Sequence, residues 1–353
     1  MAVEGATTEL PLPGLEVTPT APESKPGHWI ERGPQKRLMV FSGRSHPELA
    51  LRIAEHLNVE LGDVELKTFA NDETYVRYSE SIRGADVFIV QTGAEPVDRN
   101  LMELLLMIQA AKLASAKRIT AVVPWFPYSR QDRKAKPREP ISGRLVADML
   151  QLAGADRVLT MDLHAGQIQG FFTVPVDHMT ALPLFGRHFR DLGFTGEGVV
   201  SVAPDAGRAK VAVRFAEMLD AEFAVMHKTR SVHESVAVTE ITGRVRDKIA
   251  IVGDDVTTTG STLIAGAQAL KEHGASDVWV FVTHALLNAE GLEKLGNADV
   301  TGIVVTDTVP IDALNRPDNL TVLTVGGLLA ETIMNVFADD SVSAIFGGDT
   351  QLF

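Results

Sequence analysis

From about residue 36 onward, two patterns of apolar and polar positions alternate along this chain. Short apolar runs of the strand type give way to stretches whose apolar residues recur every three or four positions, the helical period. "RLMVFSGR" (37–44) predicts a strand entering a glycine turn, and "HPELALRIAEHL" (46–57) predicts an amphipathic helix. "GVVSVAPDAGR" (198–208) and "AKVAVRFAEML" (209–219) repeat that order, with Gly43-Arg44 and Gly207-Arg208 at the corresponding turns. "RGADVFIVQT" (83–92), a long helix and "AKRITAVVPW" (116–125) are matched by "RDKIAIVGDD" (246–255), a helix and "ASDVWVFVTH" (275–284). The offset stays near about 160 residues, which predicts an α/β chain built from a duplicated domain, each copy a mainly parallel sheet flanked by helices.

The pattern sets the expected organisation. Residues 1–33 carry prolines, Thr and Ala without either period and are expected to be a disordered tail. One domain is expected over 34–180 and its copy over 181–330. A helix and tail over 331–353 are expected to pack back on the first domain. At 353 residues, 45% hydrophobic and 22% charged, the chain suits a soluble protein of two domains. It has no cysteine, which excludes disulfides and thiolate metal sites and fits a cytoplasmic setting. No apolar run approaches the ~20 residues that span a bilayer, so no membrane partner is expected. The net charge of −13 argues against a nucleic-acid partner.

In so acidic a chain, local chemistry stands out. "IVGDDVTTTGST" (251–262) ends an apolar run with Asp254 and Asp255, followed by Thr258, Thr259, Gly260, Ser261 and Thr262 and then a predicted helix. An N-capped helix is the plain reading. A sugar phosphate is the sharper one: carboxylates accept from neighbouring hydroxyls, while the loop's N–H groups and the positive helix end surround a phosphate. Neither a Walker A loop nor a G-x-G-x-x-G turn is present. "YSRQDRKAKPREPISGR" (128–144) holds six Lys/Arg against two acids directly after a strand-like run. Arg130, Arg133 and Lys134 there can meet a polyphosphate. His164 of "MDLHAGQIQGFF" (161–172) can hold Mg²⁺ or a phosphate oxygen. Lys228 and Arg230 of "HKTR" fall on one side of an extended chain, a cation pair able to stabilise charge developing during transfer.

From Lys36 to Phe346 these segments resemble the ribose-phosphate pyrophosphokinase family: "YSRQDRKAKPREPIS", "DLHAGQIQGFF", the "DD…TGST" loop and "SVSAIF" (341–346) stand in family order and spacing. The resemblance implies two phosphoribosyltransferase-type (type I) domains and transfer of the β,γ-pyrophosphoryl group from ATP to O1 of ribose 5-phosphate, with AMP leaving. It implies an ATP site at Phe69, Asn71, Asp72 and Glu73 of "FANDE" with Arg130 and Gln131, and a flexible loop carrying Arg133 and Lys134. It places Mg²⁺ (or Mn²⁺) on His164 and Asp205, with Lys228 and Arg230 as the catalytic cations. Asp254, Asp255 and residues 258–262 would take ribose 5-phosphate. The family forms homo-oligomers, typically hexamers.

The chain departs from the family pattern D-D-hydrophobic-hydrophobic-D-T-G-G-T at three places: Thr257 stands for a hydrophobe, Thr258 for the third acid and Ser261 for a glycine. Ser261 is expected to add a Cβ where close backbone approach needs Gly. In "FANDE", Asn71 and Asp72 stand where Asp and Gly are usual, and Ala203 where Ser is common. Two readings follow: an active synthetase with a modified substrate loop, or a catalytically weak paralogue that co-assembles with an active one.

Overall fold

The computed structural model describes residues 36–230 and 236–342, without the side chains of 228–230 and 236–239. The first half runs β1 (Leu38–Ser42), α1 (Pro47–Leu57), β2 (Val64–Thr68), β3 (Thr74–Tyr78), β4 (Asp86–Val90), α2 (Val97–Leu113), β5 (Arg118–Val123), α3 (Ser142–Ala153), β6 (Arg157–Met161), β7 (Val176–Met179) and α4 (Leu182–Asp191). The second runs β8 (Val199–Ala203), α5 (Ala209–Met218), β9 (Glu222–Arg230), β10 (Val236–Thr242), β11 (Ile249–Thr257), α6 (Ser261–Glu272), β12 (Asp277–Ala285), α7 (Ala289–Gly296), β13 (Gly302–Thr306), β14 (Leu320–Leu323) and α8 (Gly326–Ala338). Strands such as "DVFIV" and "GIVVT" are buried throughout, as expected where helices cover both faces of a parallel sheet. α1 opens on Pro47 and stops at Asn58, whose left-handed backbone ends the helix.

The duplication is explicit in the strand order. The first sheet is β1-β4-β5-β6-β7, all parallel; the second contains β8-β11-β12-β13-β14 along the same path. The copies differ in their hairpins. β2–β3 form a separate two-stranded sheet, whereas β9–β10 extend the second sheet beyond β8, with β10 antiparallel to β9.

By contact, the described residues from 36 onward form one unit, and an apolar cluster crosses the two halves. Phe185 of α4 meets Phe281 of β12 at 4.6 Å between ring centres, and Phe215 of α5 meets it at 4.5 Å. α8 rests on α1, and its C-cap Asp339 pairs with Lys36 and Arg118. Polar links join the sheets near their carboxyl ends. Arg52 pairs with Asp307 at 2.5 Å, Thr92 Oγ1 donates to the Thr308 carbonyl at 2.7 Å, and Thr283 Oγ1 donates to Asp162 at 2.7 Å. The ligand-facing ends of both sheets are thereby held against each other.

Candidate active site

β11 carries Asp254 and Asp255 to its carboxyl end. Gly253 before them is required by packing, because a Cβ there would lie 2.1 Å from Cζ of Phe281. The two carboxylates then part company. Asp255 is buried, with Oδ1 paired to Arg208 and Oδ2 accepting from His164 Nδ1 at 2.7 Å. Asp254 is more open and lies 3.5 Å from Arg208. Both carboxylates border the same cavity, and Asp255 in addition clamps His164 and Arg208. Sequence reasoning missed Arg208; the available signal was a cation in an otherwise small-residue turn, "DAGRA".

The loop after β11 is short and internally bonded. Thr257 Oγ1 accepts from Gly260 N at 3.1 Å, and Thr259 Oγ1 donates to Ser261 Oγ at 3.0 Å. Gly260 has φ +72°, the left-handed region, and is the residue of this turn that needs to be glycine. Ser261 begins α6 outside that region, so its backbone conformation makes no demand for glycine. Thr258, Thr259 and Thr262 face a cavity of about 630 Å³ together with Asp254, Asp255, His164, Asp205, Arg208, Arg130 and Arg133. Gly260 is buried and, with Ser261, is not part of that lining.

A second cavity, about 540 Å³, shares Arg130 and Thr258 with the first and continues to Gln131, Arg99, Trp125 and Tyr128. Gln131 accepts from Ser142 Oγ at 2.6 Å. The "FANDE" residues are not brought to this wall. They form the tip between β2 and β3, with Phe69 half exposed and edge-on to Tyr75. Asp72 alone connects, through an ion pair with Arg99 at 2.8 Å. Its φ of +69° accounts for the glycine expected there, since Asp is one of the few residues that tolerate that region. Lys134 is exposed and lines neither cavity. The strand β9 ends at Lys228 and Arg230, whose side chains lie outside the described residues, as do the 1–33 tail and most of "SVSAIF".

Electrostatics favour a neutral imidazole at the cavity. Burial, then the Arg208 and Arg130 cations, push His164 below its ordinary value against the pull of Asp254 and Asp132. Behind it, His284 and His178 are pushed down to about 4 by burial. His178 Nε2 accepts from Leu163 N at 2.8 Å, and His284 Nε2 meets the Met161 carbonyl at 3.0 Å. Both brace the segment that carries His164.

The donors present fit Mg²⁺. Asp255 holds the Nδ1 side of His164, the arrangement that orients a ligating imidazole through its other nitrogen. Asp205 opens on the same cavity. Among the described residues no three His, Cys, Asp or Glu side chains gather into a metal cage.

Comparison with known proteins fits this geometry. Residues 38–154 match the family model of the N-terminal domain of ribose phosphate pyrophosphokinase, and 232–347 match that of the phosphoribosyl synthetase-associated domain. Ribose-phosphate pyrophosphokinase of Corynebacterium efficiens is 46% identical over 325 residues, 91% of this chain and 99% of that protein. Its namesake in Fusobacterium nucleatum is 44% identical over 309 residues, 88% of this chain and 98% of that one. The crystal structure of phosphoribosylpyrophosphate synthetase from Mycobacterium smegmatis is 44% identical and superposes with a TM-score of 0.79, covering 86% of this chain and 99% of that one. Among the described residues no helix is long and apolar enough to cross a membrane. The fold is thus that of two phosphoribosyltransferase-type halves, and the chain belongs to the ribose-phosphate pyrophosphokinase family.

Proposed function

We propose that the chain is an active, Mg²⁺-dependent ribose-phosphate diphosphokinase, moving the pyrophosphoryl group of ATP to O1 of ribose 5-phosphate. The observation that carries the reading is the cavity of about 630 Å³, in which three arginines, the Asp254/Asp255 pair, His164, Asp205 and the threonine loop converge from both halves. Ribose hydroxyls donate to Asp254, and the 5-phosphate lies among Thr258, Thr259 and Thr262 at the start of α6. ATP reaches the same space from the adjoining cavity, with its base end toward Gln131 and its phosphates toward Arg130 and Arg133. Arg130 lines both cavities, which supports a role for it on the transferred group. Mg²⁺, held by His164 and Asp205 with the phosphates, would offset charge on the phosphate oxygens.

The acceleration comes from positioning and charge neutralisation, since no covalent protein intermediate is needed. Lys228 and Arg230 supply further cations from the end of β9. Their assignment rests on strand placement and on the resemblance.

The test is to incubate the protein with Mg²⁺, ATP and ribose 5-phosphate and follow AMP and phosphoribosyl pyrophosphate by mass spectrometry. Ribose-5-phosphate-dependent formation of both products supports the enzyme. A folded protein that binds either substrate without turnover would instead be the regulatory paralogue. Omitting Mg²⁺, with chelator present, should abolish both products.

A further inference from the structure

Thr257 has no role in the reading above, and as a polar residue replacing an apolar one it looks like a simple loss from the core. The structure gives it a task. It is the last residue of β11, paired across the sheet with Ala285, and its carbonyl accepts from Leu286 N at 2.9 Å. Its side chain is buried, and Oγ1 accepts from Gly260 N at 3.1 Å across a turn of two intervening residues. Gly260 is itself buried and left-handed, so its N–H has no access to solvent and would be orphaned without that hydroxyl. Thr258 and Thr259, the two residues inside this closed turn, are exposed and line the cavity, as does Thr262 in the first turn of α6.

We propose that Thr257 is a positioning residue for the ribose-phosphate loop. By closing the turn on Gly260 it fixes the direction in which Thr258, Thr259 and Thr262 present their hydroxyls and N–H groups to the 5-phosphate. The proposal rests on the reading that this loop takes that phosphate. A loop held this way carries its order before the ligand arrives, so affinity for the phosphorylated sugar depends on the bond between the Thr257 hydroxyl and Gly260 N, although Thr257 also borders the cavity.

The test compares the wild type with Thr257→Val, which keeps the shape and deletes the acceptor, and with Thr257→Ser, which restores it. Steady-state kinetics give KM for ribose 5-phosphate, KM for ATP and kcat; calorimetry gives binding of ribose 5-phosphate and of ribose. The expected result for Thr257→Val is a rise in KM for ribose 5-phosphate of roughly ten-fold or more, with ATP KM and kcat near wild type and ribose binding unchanged. Thr257→Ser should return ribose 5-phosphate KM to within about two-fold of wild type, a recovery that the difference of one methyl group permits. Thr257→Val with wild-type KM for ribose 5-phosphate overturns the proposal, and so does equal loss for both substrates, which marks a general structural defect. If the wild type itself binds ribose as tightly as ribose 5-phosphate, the assignment of the loop fails first, independently of Thr257.

Discussion

Arg208 offers the sharpest test of how the site is held together. Replacing it with Met keeps most of the stem volume and removes the cation that faces Asp255 and Asp254. Asp255 is 3% exposed at its side chain and Arg208 15%, so the pair is largely desolvated. Breaking such a pair by deleting one partner costs about 3–5 kcal/mol when nothing else serves the remaining charge. Here Asp255 still accepts from His164, and Asp254 has partial access to water. Those two relieve part of the penalty, and a loss of about 2–3 kcal/mol at pH 7 is expected.

Urea unfolding of wild type and Arg208→Met reads this as a lower midpoint at unchanged slope. The deficit should also depend on pH with a defined sign. As pH falls into the carboxylate range, the acid that lost its cation takes up a proton and no longer needs a partner. His164, freed of the Arg208 charge that helps hold its pKa down, also protonates more readily beside Asp255. Both effects stabilise the variant relative to wild type on acidification, so the difference must shrink from pH 7 toward pH 4. A deficit under about 0.5 kcal/mol at pH 7, the size of an ordinary surface change, would refute the reasoning. So would a deficit that stays constant with pH.

Acid should destabilise the wild type through His178 and His284. Their folded-state values of about 4 lie below the ordinary histidine range, so the unfolded chain binds the protons first and stability falls as pH drops through about 6.5 toward 4. The pair takes up protons on unfolding across that window, so urea midpoints measured from pH 7 to pH 4 should fall with pH; a flat profile would contradict the burial assigned to them. Gly253→Ala should destabilise by about 1–3 kcal/mol, because its Cβ would meet the Phe281 ring at 2.1 Å. Phe281→Leu in the same chain should recover part of that loss in thermal melts, and failure to do so would locate the clash elsewhere. Lys228→Ala should lower turnover by ~10²-fold or more with unchanged unfolding, if its amine acts on the transition state; unchanged turnover would remove it from catalysis.

The limits of reading this chain are local and physical. The repeat was legible because burial on both sheet faces forces continuous apolar runs, and those runs recur in the same order in both halves. The turn chemistry was half legible. The conformational demand for glycine is met at Gly260, whose φ is positive, a separate matter from the close approach expected at Ser261. The same logic read backwards explains Asp72, where an acid stands at φ +69° and is held by Arg99. What sequence could not supply were the contacts between elements. Asp254 and Asp255 are adjacent and chemically identical, and both border the cavity and face Arg208, but Asp255 is the more deeply buried and bonds His164. His164 lies 91 residues from Asp255 in the chain, and no local pattern records their hydrogen bond. Thr257 shows the converse: a substitution that reads as a lost apolar contact is a gained acceptor, because the buried N–H it serves belongs to the next turn. Departures from a family pattern are therefore best judged by the backbone groups they satisfy, and at this loop Thr257 satisfies the N–H of Gly260.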